Sequence, residues 1–205
     1  MRSVLLWAFA LTSLALMAAR ARADKLILIP TADLGGYSAE YLQRTRGADE
    51  GIATVTFPTG PLVEALIRYN RNLDRSHNVE AGGTFQLLPQ GYGTPSLAVG
   101  IWDITNDGPP GRRAFLVITK NFTRDDFVPA PLREIQTTLG IGTGRLGGPF
   151  LGVRASLPAR LSLIGEWDSQ RFNAGLWWTP IRGLTLKGEL HNGNPFLGGR
   201  IQVGM

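Results

Sequence analysis

The side chains able to do hydrolytic or metal chemistry are few. The chain has two histidines and no cysteine. His77 follows Asp74-Arg75-Ser76, and Glu80 lies three residues beyond it. A serine nucleophile, a histidine base and an orienting carboxylate are the parts a barrel-wall lipid hydrolase would need. Ser76 and His77 are adjacent, however, and an extended backbone sends neighbours to opposite faces. Glu189 and His191 share a face, but no serine accompanies them on that hairpin. The expected reading is a satisfied acid–histidine pair, with no enzyme activity and no cofactor.

Metal and nucleotide motifs fare no better. Asp103, Asn106 and Asp107 have acid-rich spacing, but Pro109-Pro110 interrupts the series before a bidentate acid could close a calcium loop. Asp125-Asp126 reads as a solvated loop. Gly140-Ile141-Gly142-Thr143-Gly144 lacks the strand–turn–helix setting and final glycine of a dinucleotide loop. The lack of cysteine excludes disulfide scaffolds, thiolate nucleophiles and cysteine zinc sites. No metal site is expected.

The charges are more informative, because they recur on one face of alternating segments. Leu161, Leu163 and Trp167 oppose Ser162, Glu166 and Asp168. Phe172, Ala174, Leu176 and Trp178 oppose Arg171, Asn173, Gly175 and Trp177. Leu184, Leu186 and Leu190 alternate with Thr185, Lys187, Glu189 and His191. Upstream, Val63, Ala65, Ile67 and Tyr69 oppose Glu64, Leu66 and Arg68. Val79, Ala81, Phe85 and Leu87 oppose Glu80, Thr84 and Gln86. Leu151 and Val153 oppose Gly152 and Arg154. A period of two with one apolar face marks a strand. The polar faces hold Glu64, Arg68, Glu80, Arg154, Glu166, Arg171, Lys187 and Glu189, and buried charges must be paired. A charge network inside a closed sheet follows as an expectation.

These segments run about 8–10 residues between turn signals such as Pro58-Thr59-Gly60, Pro180-Ile181-Arg182-Gly183 and Asn192-Gly193-Asn194-Pro195. Short links join antiparallel neighbours. About 12 strands are predicted, with Lys25–Leu34 as a possible thirteenth or a lead-in. The expected fold is an all-β, antiparallel, up-and-down β-barrel of the transmembrane, outer-membrane type, forming one domain over 24–205. Strands of this length suit a tilted bilayer span. Aromatics near the turns (Phe57, Tyr69, Trp102, Trp167 and Trp178) would form interfacial girdles. Barrels of this size have little lumen beyond their own side chains, so the paired charges are expected to hold the interior shut.

Residues 1–23 read as an export signal. Arg2 is followed by an apolar run from Val4 to Ala19, and Ala21 and Ala23 occupy the −3 and −1 positions before Asp24. Cleavage there removes three arginines and no acid. The 21 basic residues become 18 against 16 acidic ones, and the net charge falls from +5 to +2. That balance removes the reason to expect a nucleic-acid partner, despite a sequence pI near 10.1.

Ile29-Pro30-Thr31-Ala32 resembles the opening of the YjbH-like family of bacterial outer-membrane proteins linked to exopolysaccharide. Gly165-Glu166-Trp167-Asp168, Phe172-Asn173-Ala174-Gly175-Leu176 and Gly183-Leu184-Thr185-Leu186 are similar to its repeated barrel hairpins. The resemblance implies an association with envelope polysaccharide export or secretion and carries over no functional residues. The expected partners are outer-membrane lipid, the barrel assembly machinery and polysaccharide-export proteins. Two rival readings stand beside this one: a soluble periplasmic or secreted β protein that binds a lipid or glycan, and a barrel-wall lipid hydrolase.

Overall fold

The computed structural model describes residues 25–47, 49–71, 77–108, 111–123, 126 and 128–203. The predicted export signal, Ser76 and Asp125 lie outside the described residues. Twelve strands run in chain order: β1 (Tyr37–Arg44), β2 (Gly51–Gly60), β3 (Val63–Arg71), β4 (His77–Leu88), β5 (Ser96–Trp102), β6 (Arg113–Thr123), β7 (Glu134–Gly142), β8 (Gly148–Ser156), β9 (Leu161–Trp167), β10 (Phe172–Ile181), β11 (Leu184–His191) and β12 (Asn194–Val203). Each pairs antiparallel with its sequence neighbours, and β1 closes on β12 from Tyr37↔Val203 to Arg44↔Phe196. The chain is an all-β, antiparallel, closed barrel of 12 strands.

The tightest links show why the sheet meanders. Asn192-Gly193 joins β11 to β12 with both residues at positive φ (54° and 81°). Two successive left-handed residues match the twist of flanking strands, and Asn-Gly supplies them at little steric cost. Proline sits where a ladder can spare a donor: Pro58 and Pro180 both fall at register shifts near strand ends.

The two faces of the wall differ in kind. Every strand turns at least one large apolar side chain outward, among them Tyr41, Val55, Ile67, Leu116, Leu139, Leu151, Leu176 and Leu197, each 40% or more exposed. The inward positions carry Glu40, Thr54, Glu64, Arg68, Glu80, Asn121, Gln136, Glu166, Lys187 and Arg200, all buried. Parity along each strand, set by the pleat, does the sorting. The segment Ala114–Phe122, apolar on both faces in sequence, follows the same rule. Phe115 and Val117 point in, while Leu116 and Ile118 point out.

Residues 25–36 take no part in the wall. Their one β-bridge among the described residues is internal, Lys25 with Pro30, closed by the Leu26 N–H donating to the Ile29 carbonyl at 3.1 Å. This stretch, a candidate thirteenth strand in sequence, folds back on itself inside the barrel as a strap. Leu26, Ile27, Ile29 and Ala32 are at most 2% exposed and pack with Leu66, Val117, Phe150, Ile164 and Trp177. The interior is therefore filled by backbone as well as by side chains.

Candidate functional site: the strapped lumen and its vestibule

The wall holds the strap mainly by carboxylates that accept its backbone N–H groups. Glu166 on β9 accepts from Ile27 (2.9 Å), Leu28 (2.7 Å) and Ile29 (3.4 Å), and from the Asn173 amide at 3.0 Å. Glu64 on β3 accepts from Gly35 (2.6 Å) and Gly36 (3.0 Å). Thr119 accepts from the Ala32 N–H at 2.9 Å, and the Gln86 amide donates to the Ala32 carbonyl at 2.8 Å. Asp33 of the strap accepts in turn from Ser96 (2.8 Å) and Asn121 (2.7 Å). Glu166 and Glu64 between them accept five N–H groups of the strap in a buried setting.

A second group ties the strap to the last strands. Glu40 lies between Lys25 of the strap (2.6 Å) and Lys187 of β11. Lys187 also approaches Glu189 at 3.4 Å and sits 3.9 Å above the Trp177 ring. Glu189 accepts from the Trp177 indole N–H at 2.8 Å and pairs with His191 Nε2 at 2.7 Å. The His191 ring stacks on Phe196 at 4.3 Å.

The third group lies toward the end of the barrel where β3 ends and β4 begins. Arg68 and Arg113 share the Glu80 carboxylate, Arg68 at 3.5 Å, and Asn70 donates to Glu80 at 2.8 Å. Both guanidiniums lie over the Trp102 ring, at 5.2 and 5.7 Å. Above them opens a cavity of about 550 Å³, lined by Arg68, Asn70, Asn78, Glu80 and Arg113 and bounded by Leu28 of the strap. It forms a vestibule that the strap separates from the far end of the lumen.

The sequence-predicted charges divide three ways. Glu64, Arg68, Glu80, Glu166, Lys187 and Glu189 are buried inside, and Arg154 is half-buried on the inward face of β8. Arg171 is exposed in the β9–β10 turn, outside the lumen, which corrects its assignment to the interior network. Asp168 accepts the N–H groups of Gln170 and Arg171 there, and the turn they form ends before β10 begins. Within the network, Glu64 and Glu166 also accept backbone N–H groups of the strap.

Among the expected girdle aromatics, Tyr69 and Trp178 are 41% and 46% exposed on the outer face. Phe57 and Trp167 are half-buried at outward positions on β2 and β9. Trp102 is a correction. It is 2% exposed and inside, because its parity on β5 matches that of Ala98 and Gly100, which also face in. Gly82 leaves room for its indole, since a Cβ there would lie 3.0 Å from the Trp102 ring.

His77 is exposed and packs 5.8 Å from the Tyr69 ring, while Glu80 faces the lumen. The two therefore lie on opposite sides of the wall. Among the described residues no cluster of His, Asp or Glu could hold a metal ion. Sequence reading missed Lys25, Asp33, Glu40 and Arg113. Lys25 and Asp33 sit on the strap, whose burial no periodicity announces. Glu40 could have been found from the alternation Ser38, Glu40, Leu42 against Ala39 and Tyr41. Comparison with known proteins finds no matching family model, no matching curated protein and no matching solved structure.

Proposed function

We propose that the chain is a non-enzymatic integral barrel of the Gram-negative outer membrane, delivered by the export signal at 1–23 and closed at rest by its strap. One observation carries this reading: large apolar side chains cover the outside on all twelve strands while Glu40, Glu64, Glu80, Glu166, Lys187 and Arg200 are buried inside. Soluble proteins seldom expose contiguous apolar surface beyond a few hundred Å², and a lipid-facing barrel requires this inversion. Eight of the twelve strands have 9–12 residues, a length that suits a tilted bilayer span. Aromatics near both ends, Tyr69, Trp167 and Phe172 at one and Tyr37, Phe57 and Trp178 at the other, fit two interfaces.

The role proposed for it is envelope-associated, with exopolysaccharide export the specific expectation from the strand motifs that resemble the YjbH-like family. Its partners on this reading are outer-membrane lipid, the assembly machinery and polysaccharide-export proteins. Carbonate extraction combined with gels of unboiled samples tests the membrane claim. The expected result is a carbonate-resistant protein with heat-modifiable migration. Full extraction into the soluble fraction would favour the soluble lipid- or glycan-binding alternative.

A further inference from the structure

We infer that the lumen is a conduit for small ions and polar solutes and that the strap, residues 25–36, is its gate. The inference rests on the membrane-barrel reading. Four observations point to it.

The wall closes without the strap. The β1–β12 ladder runs its full length, and the strap adds no strand to it. Removing the strap therefore breaks no wall hydrogen bond of the ladder.

The wall beneath the strap combines an apolar patch, Leu66, Val117, Phe150, Ile164 and Trp177, with a set of buried polar side chains. Glu40, Glu64 and Glu166, with Asn121, Gln136 and Thr119, surround a segment that includes four buried apolar residues, Leu26, Ile27, Ile29 and Ala32. A wall of carboxylates and amides can exchange the strap's N–H groups for water and stay solvated, as conducting barrels do.

The seat is shaped for the strap alone. A Cβ at Gly152 would collide with Leu26 Cδ1 and lie 2.8 Å from Ile29 Cδ1, and one at Gly175 would lie 3.2 Å from Ile27 Cδ1. These glycines make hollows in the wall that the strap's three apolar side chains fill.

The strap has a joint. Gly35-Gly36 connects it to β1, Gly36 has φ +74°, and nothing lies within 4 Å of where its Cβ would be. A left-handed glycine with room around its Cα can rotate once the bonds on the pair are released: Glu64 accepts from both N–H groups, Gln202 donates to the Gly35 carbonyl and Thr56 to the Gly36 carbonyl. Around the strap, Glu40, Glu64 and Glu166 are balanced by Arg154, Lys187 and Arg200, so weak selectivity between cations and anions is expected.

The test uses the full chain, with folding checked by heat-modifiable migration. The double substitution Ile27→Glu and Ile29→Glu places charge beside Glu166 and alters no wall atom. Gly152→Val fills the wall hollow and serves if the double variant fails to fold. Each is placed in planar bilayers in potassium chloride. Each is also combined with Val117→Cys, a wall site at 0% exposure beneath the strap, in a chain with no other cysteine. The unaltered protein should stay at the bilayer baseline. The variants should conduct. A water-soluble maleimide should label the thiol introduced at position 117 at least about tenfold faster in them, as expected when an opening equilibrium shifts. A folded, inserted variant with baseline conductance, or with unchanged labelling, overturns the gate, as does an unaltered protein that already conducts like the variants. If neither protein enters a bilayer, the membrane reading and the conduit both fall, while the labelling rate still reports whether the strap leaves.

Discussion

Glu166 and Leu28, 138 residues apart in sequence, meet at 2.7 Å, wall carboxylate to strap N–H. The same carboxylate also takes the N–H groups of Ile27 and Ile29. Three consecutive donors on one buried acid make Glu166 the main anchor of the strap's turn.

Glu166→Ala leaves these three donors without their acceptor and leaves the Asn173 amide only its longer bond to Asp168 at 3.4 Å. Each unsatisfied buried donor costs about 1–3 kcal/mol, and partial rearrangement keeps the total to roughly 3–5 kcal/mol. Glu166→Gln, which keeps an acceptor oxygen, should lose about half as much. Urea unfolding of the detergent-folded protein, followed by heat-modifiable migration, measures both. Equal stability of Glu166→Ala and the parent would remove Glu166 as an anchor.

Glu40 with Lys25 and Lys187 predicts a strongly non-additive pair. Lys187→Met leaves Glu40 with one of its two lysines, and breaking a buried ion pair costs about 3–5 kcal/mol. The double variant Glu40→Gln, Lys187→Met should recover a substantial part of that loss. Additive losses in the same unfolding assay would show that the contact between Glu40 and Lys187 carries no coupling.

The β5–β6 loop should loosen in acid. Burial pushes the Asp103 carboxyl up. The Asp107 N–H, the Thr105 hydroxyl, the Gly108 N–H and Arg113 outweigh it and hold the group below the usual carboxylate range. A lowered folded-state value stabilises the loop above the unfolded value of about 3.9 and loses that contribution as pH falls through the folded value. Protection of the Asp107 and Gly108 amides from hydrogen exchange should drop over that acid range. Asp103→Asn should have the lower protection already at neutral pH and show no such drop.

Much of this architecture was legible because one property, side-chain parity, governs it. Leu163, Leu176 and Leu186 face out and Glu166, Asn173 and Lys187 face in, as alternation required. Aromatic position was less legible. Proximity to a turn placed Trp102 with Trp178 at an interface, but parity sends Trp102 into the lumen, beside Arg68 and Arg113, and Gly82 gives it room. Arg171 failed for the complementary reason, since alternation stops where the turn built on Asp168 begins. The strap was the least legible part. Residues 25–36 have neither a period of two nor one of 3.6, and their placement depends on acceptors 15 to 139 residues away.

Trp102 and Trp178 also allow the central claim to be measured, because they sit on opposite sides of one wall. Variants retaining a single tryptophan, Trp102 or Trp178, are refolded into vesicles whose acyl chains carry bromine, a short-range fluorescence quencher. The outer face is held here to meet hydrocarbon, so Trp178 emission should be strongly quenched and Trp102 emission left nearly intact. Unquenched Trp178 in a folded barrel would contradict a lipid-facing outer surface.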